Sequence, residues 1–207
     1  MIGEKGVFIV FEGLDGAGTT TQMKILGEKF SSGGRDVFIT HEPTDNPVGK
    51  LVRSCLQKKF RTTPSALALL YASDRDDHLD NPEYGINGRL SQGSVVISDR
   101  YFYSTLAYQG VECDYEFLKM INAPFRHADV IIFVDTPVDV CMDRIEKRGE
   151  EKELFEKKEY LTQVRENYLR EFSELPQGVI LITIDGTLSI EDTAVKIENE
   201  LKKIRLL

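Results

Sequence analysis

The sequence predicts an α/β protein built on an open, parallel sheet. Three observations predict it. Short apolar runs rich in β-branched residues recur along the chain, longer segments of helical spacing separate them, and the first run enters a helix through a glycine-rich turn.

The apolar runs are residues 7–11, 95–98, 130–134 and 179–184, with a weaker fifth at 36–40. Nearly continuous runs of this length are expected of strands covered on both faces. Helical spacing occupies 20–31, 48–59, 65–79, 137–148 and 189–204. The alternation implies right-handed βαβ units. Pro137 suits the start of a helix, where a missing N–H costs nothing. Ser189, with Asp192 three residues later, has the spacing of a capping box. Residues 147–159 are thick with Glu and Lys and read as a solvated helix face carrying i,i+4 pairs.

A chain of 207 residues suits one domain, 1–207, with a full-sized core. Its net charge of −8 argues against a protein that grips nucleic-acid backbones, yet leaves room for a locally basic pocket. Cys55, Cys113 and Cys141 lie far apart with no metal-ligand spacing, and so sparse a set fits a reducing compartment. No apolar stretch approaches the roughly 20 residues that cross a bilayer. The expectation is a cytoplasmic protein with neither a membrane nor a nucleic acid as partner.

The turn after the first run carries the chemistry. It reads Gly13-Leu14-Asp15-Gly16-Ala17-Gly18-Thr19-Thr20. A strand, two glycines five apart and a hydroxyl opening a helix make the layout of a phosphate-binding loop, with Thr19 where lysine is usual. Glycines allow the positive φ that turns successive N–H groups inward, and the helix N-terminus adds partial positive charge. Thr20 stands where a hydroxyl ligates Mg²⁺. The absent lysine weakens the case for fast catalysis more than the case for binding, because backbone amides and a metal can still hold the nucleotide.

Further along lie HEPTDNPVGKLVR (41–53), LLYASDR (69–75), SDRYFYSTLAYQG (98–110), FVDTPVDVCMDRIEKRG (133–149) and IDGTLSIED (184–192). Together with FEGLDGAGTTTQ (11–22), these segments resemble the thymidylate kinase family in order and spacing. The resemblance implies a P-loop NTPase-type five-stranded parallel sheet with helices on both faces, a homodimer, and transfer of the ATP γ-phosphoryl group to dTMP with Mg²⁺. It implies that Asp99 lies at the reaction centre near metal and acceptor, and that Arg100 contacts phosphate. Tyr71 would stack on thymine, and Arg75 and Gln109 would read the base edge. Ser104 would leave room for the 5-methyl group, with Tyr108 beside it. His41 and Glu42 stand in the turn that receives the acceptor phosphate, and His41 replaces the family's arginine. Arg144 and Arg148 would serve ATP, Arg148 over the adenine. A lid is implied at about 149–158, where Leu154 stands at the apparent arginine position and Lys152 is the candidate catalytic cation.

Three positive charges are thus missing, at Thr19, His41 and Leu154. They leave open two other readings, a kinase for another pyrimidine monophosphate and a nucleotide-binding relative with little activity.

Overall fold

The computed structural model describes residues 6–148 and 157–207. Strands β1 (Val7–Gly13), β2 (Val37–His41), β3 (Val95–Asp99), β4 (Val130–Asp135) and β5 (Ile180–Asp185) form one parallel sheet in the order β2-β3-β1-β4-β5. The helices are α1 (Thr19–Ser32), α2 (Pro47–Leu56), α3 (Pro64–Asp80), α4 (Ile86–Ser91), α5 (Phe102–Tyr108), α6 (Tyr115–Asn122), α7 (Val138–Arg148), α8 (Lys158–Ser173) and α9 (Ile190–Lys203). They cover both faces of the sheet. No described helix is long and apolar enough to cross a membrane.

The central strands β1, β3 and β4 are buried along nearly their whole length, as their apolar runs predict. The edges depart from that expectation. β5 buries Ile182 and Ile184 but leaves Ile180 and Thr183 exposed, and Ile39 of β2 is exposed. An edge strand has one neighbour and less helical cover, so apolar residues there are not all enclosed.

Helix α5 gave no periodic signal because every residue from Phe102 to Tyr108 is buried. A helix without a polar face has no amphipathic period to read. Helix α2 stops at Leu56, short of the expected 59, and Lys58 turns to a φ of 58°. The charged run 147–159 is not one continuous helix. α7 ends at Arg148, and Lys157 is extended before α8 begins; 149–156 lie outside the described residues. At α9 the Ser189 hydroxyl accepts the Asp192 N–H at 3.0 Å and itself donates to the Asp192 carboxylate at 2.8 Å, so the box closes on the hydroxyl.

Topology positions the site. From β1 the chain crosses over β3 to build β2, and later returns to the other side of β1 for β4. The crevice therefore opens at the C-terminal ends of β1 and β3, where the strand order reverses. Phe11 and Asp99 are register partners there, so the phosphate loop leaves one strand beside the Asp99-Arg100 pair leaving the other.

Candidate active site

The phosphate loop is shaped by where its carbonyls go. Arg144 of α7 donates from Nη1 to the Gly16 and Ala17 oxygens, both at 3.2 Å, and from Nη2 to the Gly186 oxygen at 3.0 Å. The Asp15 and Ala17 N–H groups are bonded to the Tyr108 hydroxyl and the Leu14 oxygen, at 3.0 and 2.9 Å, so what faces a ligand is the start of α1. Gly16 has φ 86°, and a Cβ there would come 2.7 Å from the Cys141 oxygen. Gly18 has φ 97° and gives α1 no side-chain cap, so the first-turn amides remain available for an anion. Arg144, expected to serve ATP, is thus a brace behind the loop. Thr19 is buried, with its methyl toward Gly13: a Cβ added at Gly13 would lie 3.2 Å from Thr19 Cγ2.

Thr20 and Asp99 meet across the crevice. The Thr20 hydroxyl donates to Asp99 Oδ2 at 2.5 Å, and buried Asp99 Oδ1 has no partner among the described residues. A hydroxyl and a carboxylate side by side, one oxygen uncommitted, fit a magnesium ion that takes its other ligands from phosphates and water. Among the described residues no group of three or more His, Cys, Asp and Glu side chains could hold a metal.

Arg100 faces the same crevice in an unusual conformation, with φ 71°. Its Nη2 pairs with Asp15 at 2.7 Å, and Nη1 donates to the Gly13 oxygen and Ser104 Oγ, each at 3.1 Å. Burial opposes the Arg100 charge, yet facing Tyr108 and Asp15 hold its pKa well above the ordinary value. The Tyr108 hydroxyl accepts the Asp15 N–H and donates to the Asp15 carboxylate, both at 3.0 Å. Ser104 donates to Glu12 at 2.6 Å, so its hydroxyl is committed within the wall.

A cavity of about 540 Å³ is lined by Asp15, Thr20, Asp99, Arg100 and Ser104 together with Tyr71, Arg75 and Gln109. Gln109 is buried, and its Nε2 has no partner among the described residues. Arg75 is fully buried. Nε and Nη2 bond Glu42 Oε2 at 2.9 and 2.6 Å, Nη2 also reaches Thr105, and Nη1 bonds Asn122 at 2.6 Å. Four of its five N–H groups are engaged, leaving one on Nη1. Glu42, which also lines the cavity, spends its other oxygen on His78 at 3.1 Å, so both of its oxygens are committed to side chains.

His41 also lines the cavity, its Nδ1 bonded to the Pro43 oxygen at 2.9 Å and its Nε2 3.3 Å from Asp45. Two cations that the sequence reading did not single out share this cavity wall. Arg53 of α2 donates to the Pro43 oxygen at 2.5 Å with its Nε free of described partners, and Lys24 lies one turn beyond Thr20 on α1. The i,i+4 spacing of Thr20 and Lys24 is legible in sequence. No local pattern announces Arg53, which reaches His41 through the fold. Glu12, Tyr168 and Asn122 were missed for the same reason. Lys152 and Leu154 lie outside the described residues, and of Arg148 only the backbone, ending α7, is described.

A parallel sheet, a phosphate loop at its switch point, and a hydroxyl–carboxylate pair beside a guanidinium define a P-loop nucleotide-binding protein. The family model described as thymidylate kinase matches residues 11–197. The chain is 37% identical over 203 residues to a putative thymidylate kinase of Treponema pallidum, covering 97% of each chain. It is 40% identical over 194 residues to a probable thymidylate kinase of Pyrococcus horikoshii, covering 91% of this chain and 92% of the relative. A probable thymidylate kinase of Thermococcus kodakarensis is 38% identical over 195 residues, 90% of this chain and 94% of its own. The chain belongs to the thymidylate kinase family.

Proposed function

We propose that this protein transfers the γ-phosphoryl group of ATP to dTMP, giving dTDP and ADP. The observation that carries the reading is the 2.5 Å bond from Thr20 of the phosphate loop to Asp99, in the lining of a cavity shared with Arg100, Tyr71 and Gln109. It brings donor and acceptor machinery to one point, which is what positioning catalysis requires.

Loop amides between Gly13 and Thr20 hold the donor phosphates. Thr20 and Asp99 would hold Mg²⁺, which would supply positive charge to the phosphates. Arg100 neutralises the oxygens of the transferring group. Tyr71 stacks on the base, and the Gln109 amide with the remaining Arg75 N–H reads its edge. His41, with Arg53 beside it, receives the acceptor phosphate. Arg148 at the end of α7 and Lys152 in a lid of about 149–158 are proposed to complete the donor side, within a single domain, 1–207. A homodimer is supported by exposed Leu51, Leu69 and Met120 on α2, α3 and α6, helices that pack in sequence against one another. A cytoplasmic setting accords with Cys55, Cys113 and Cys141 standing in no disulfide among the described residues.

A coupled assay with ATP, Mg²⁺ and dTMP tests the reaction, and calorimetry with dTMP, dUMP and dGMP tests the pocket. Turnover with dTMP and no binding of dGMP is the expected result; tighter binding of dGMP overturns the assignment of the base site. One observation favours a slower enzyme. Thr19 is packed inside the loop and brings no charge to the phosphates.

A further inference from the structure

Beneath the phosphate loop lies a carboxylate that the mechanism above does not use. Glu12, the penultimate residue of β1, is fully buried and does not line the cavity. Its Oε1 accepts the Tyr101 N–H at 2.9 Å. Its Oε2 accepts the Ser104 hydroxyl at 2.6 Å and the Tyr168 hydroxyl at 2.8 Å. Those hydroxyl oxygens lie 3.1 and 3.3 Å from Nη1 of Arg100, and 2.7 Å from each other.

A hydroxyl has one proton to give and lone pairs with which to accept. With both protons directed at Glu12, Ser104 and Tyr168 present only lone pairs to the guanidinium. Once the carboxylate is neutralised, one of those protons is released to turn toward Arg100, and an acceptor becomes a repulsive neighbour. We infer that Glu12 is a positioning residue: it orients the Ser104 and Tyr168 hydroxyls and through them seats the Arg100 guanidinium for the phosphates. The inference rests on the role proposed for Arg100.

Two further features support it. A buried acid is costly, and a well-packed apolar residue in its position would often be as stable or more so. The groups facing Glu12 are Gly13 on its own strand, Arg100 at the end of β3, the Tyr101 N–H, Tyr103 and Ser104 on α5, and Tyr168 on α8; Arg100 is the one cation among them. Burial pushes the Glu12 pKa up to about 7, against the bonds from Ser104 and Tyr168 and the charge of Arg100, so the ionised, seating form gains population as pH rises through neutrality. Tyr168 is held protonated by its own burial and stays a donor throughout.

The test is the near-isosteric Glu12→Gln, assayed with ATP and dTMP across pH and by calorimetry with ADP and with dTMP. The expected result is a loss of about tenfold or more in kcat/KM, the scale of one charge-assisted hydrogen bond. ADP affinity should stay within about twofold, because the loop amides are untouched. The wild-type rise in kcat/KM through neutral pH should flatten in the variant. In an Arg100→Ala background the same substitution should cost little more, because its effect passes through Arg100. Additive losses, or an unchanged pH limb, overturn the inference. Should Glu12→Gln not fold, Ser104→Ala cuts the same link and is read in the same cycle. If the wild type shows no turnover with dTMP, the proposed function fails by itself; the cycle is then read on dTMP affinity, where additivity still overturns the role of Glu12 and coupling still supports it.

Discussion

The two sides of the cleft are made of different material. The phosphate loop is main chain, and Arg144 braces it from behind by holding two of its carbonyls together with that of Gly186. The opposite wall is side chain, gathered from β1, β3, α3, α5, α6 and α8 into two buried networks around Arg75 and Arg100. A site made of amides can lose its lysine and still recognise phosphate. A site made of paired side chains has no such reserve, because each removed partner strands another.

The largest expected effect tests that fragility. Glu42→Ala leaves Arg75 charged and buried without its carboxylate, which should destabilise the fold by about 3–5 kcal/mol. Urea unfolding measures it, and a loss below about 1 kcal/mol would mean that water or Asn122 replaces the anchor. Next, Arg100→Ala should lower kcat by about 10²–10³ while shifting the melt little. Unchanged kcat with an unchanged melt would remove Arg100 from the chemistry, and global unfolding would make it a structural partner of Asp15.

On the loop side, Thr19→Lys should leave ADP affinity nearly intact and raise kcat with dTMP by up to about 10²-fold. No gain, with Lys24→Ala and Lys152→Ala both silent, would show that the missing charge was never limiting. The smallest effect is on stability against pH. The Glu12 pKa is higher folded than the ordinary 4.5, so its ionisation costs stability progressively from about pH 4.5 to 7, and the cost vanishes below 4.5 where both states are protonated. Chemical unfolding at pH 5 and pH 8 should therefore show wild type losing stability relative to Glu12→Gln as pH rises. Parallel curves would show that Glu12 is not buried as an acid.

The same contrast governs what the sequence could tell. Much that is local was legible: the strand runs, the glycine spacing of the loop, and Asp99-Arg100 at a strand end; helices α4, α6 and α8 were not among the segments read as helical. Helix α5 was not, because full burial erases its period. Nor was the engagement of Arg75, since Glu42, Thr105 and Asn122 come from 30 to 47 residues away. Arg144, expected from the family resemblance to serve ATP, was not legible as a brace, because its partners lie in a loop about 127 residues earlier and at Gly186.

The left-handed turn at Arg100 has a consequence for anyone trying to make this protein more robust. A side chain at φ 71° is strained, and the chain tolerates it with the Arg100 N–H on the Phe11 oxygen at 2.9 Å and its carbonyl accepting the Ser98 hydroxyl at 2.7 Å. That turn sends the guanidinium back over the loop instead of onward with the chain. Judged by backbone preference alone, glycine is the better residue there. Stabilisation schemes that score residues by backbone fit would therefore choose position 100 early, and would relax the strand end by discarding the group that the strand end exists to aim.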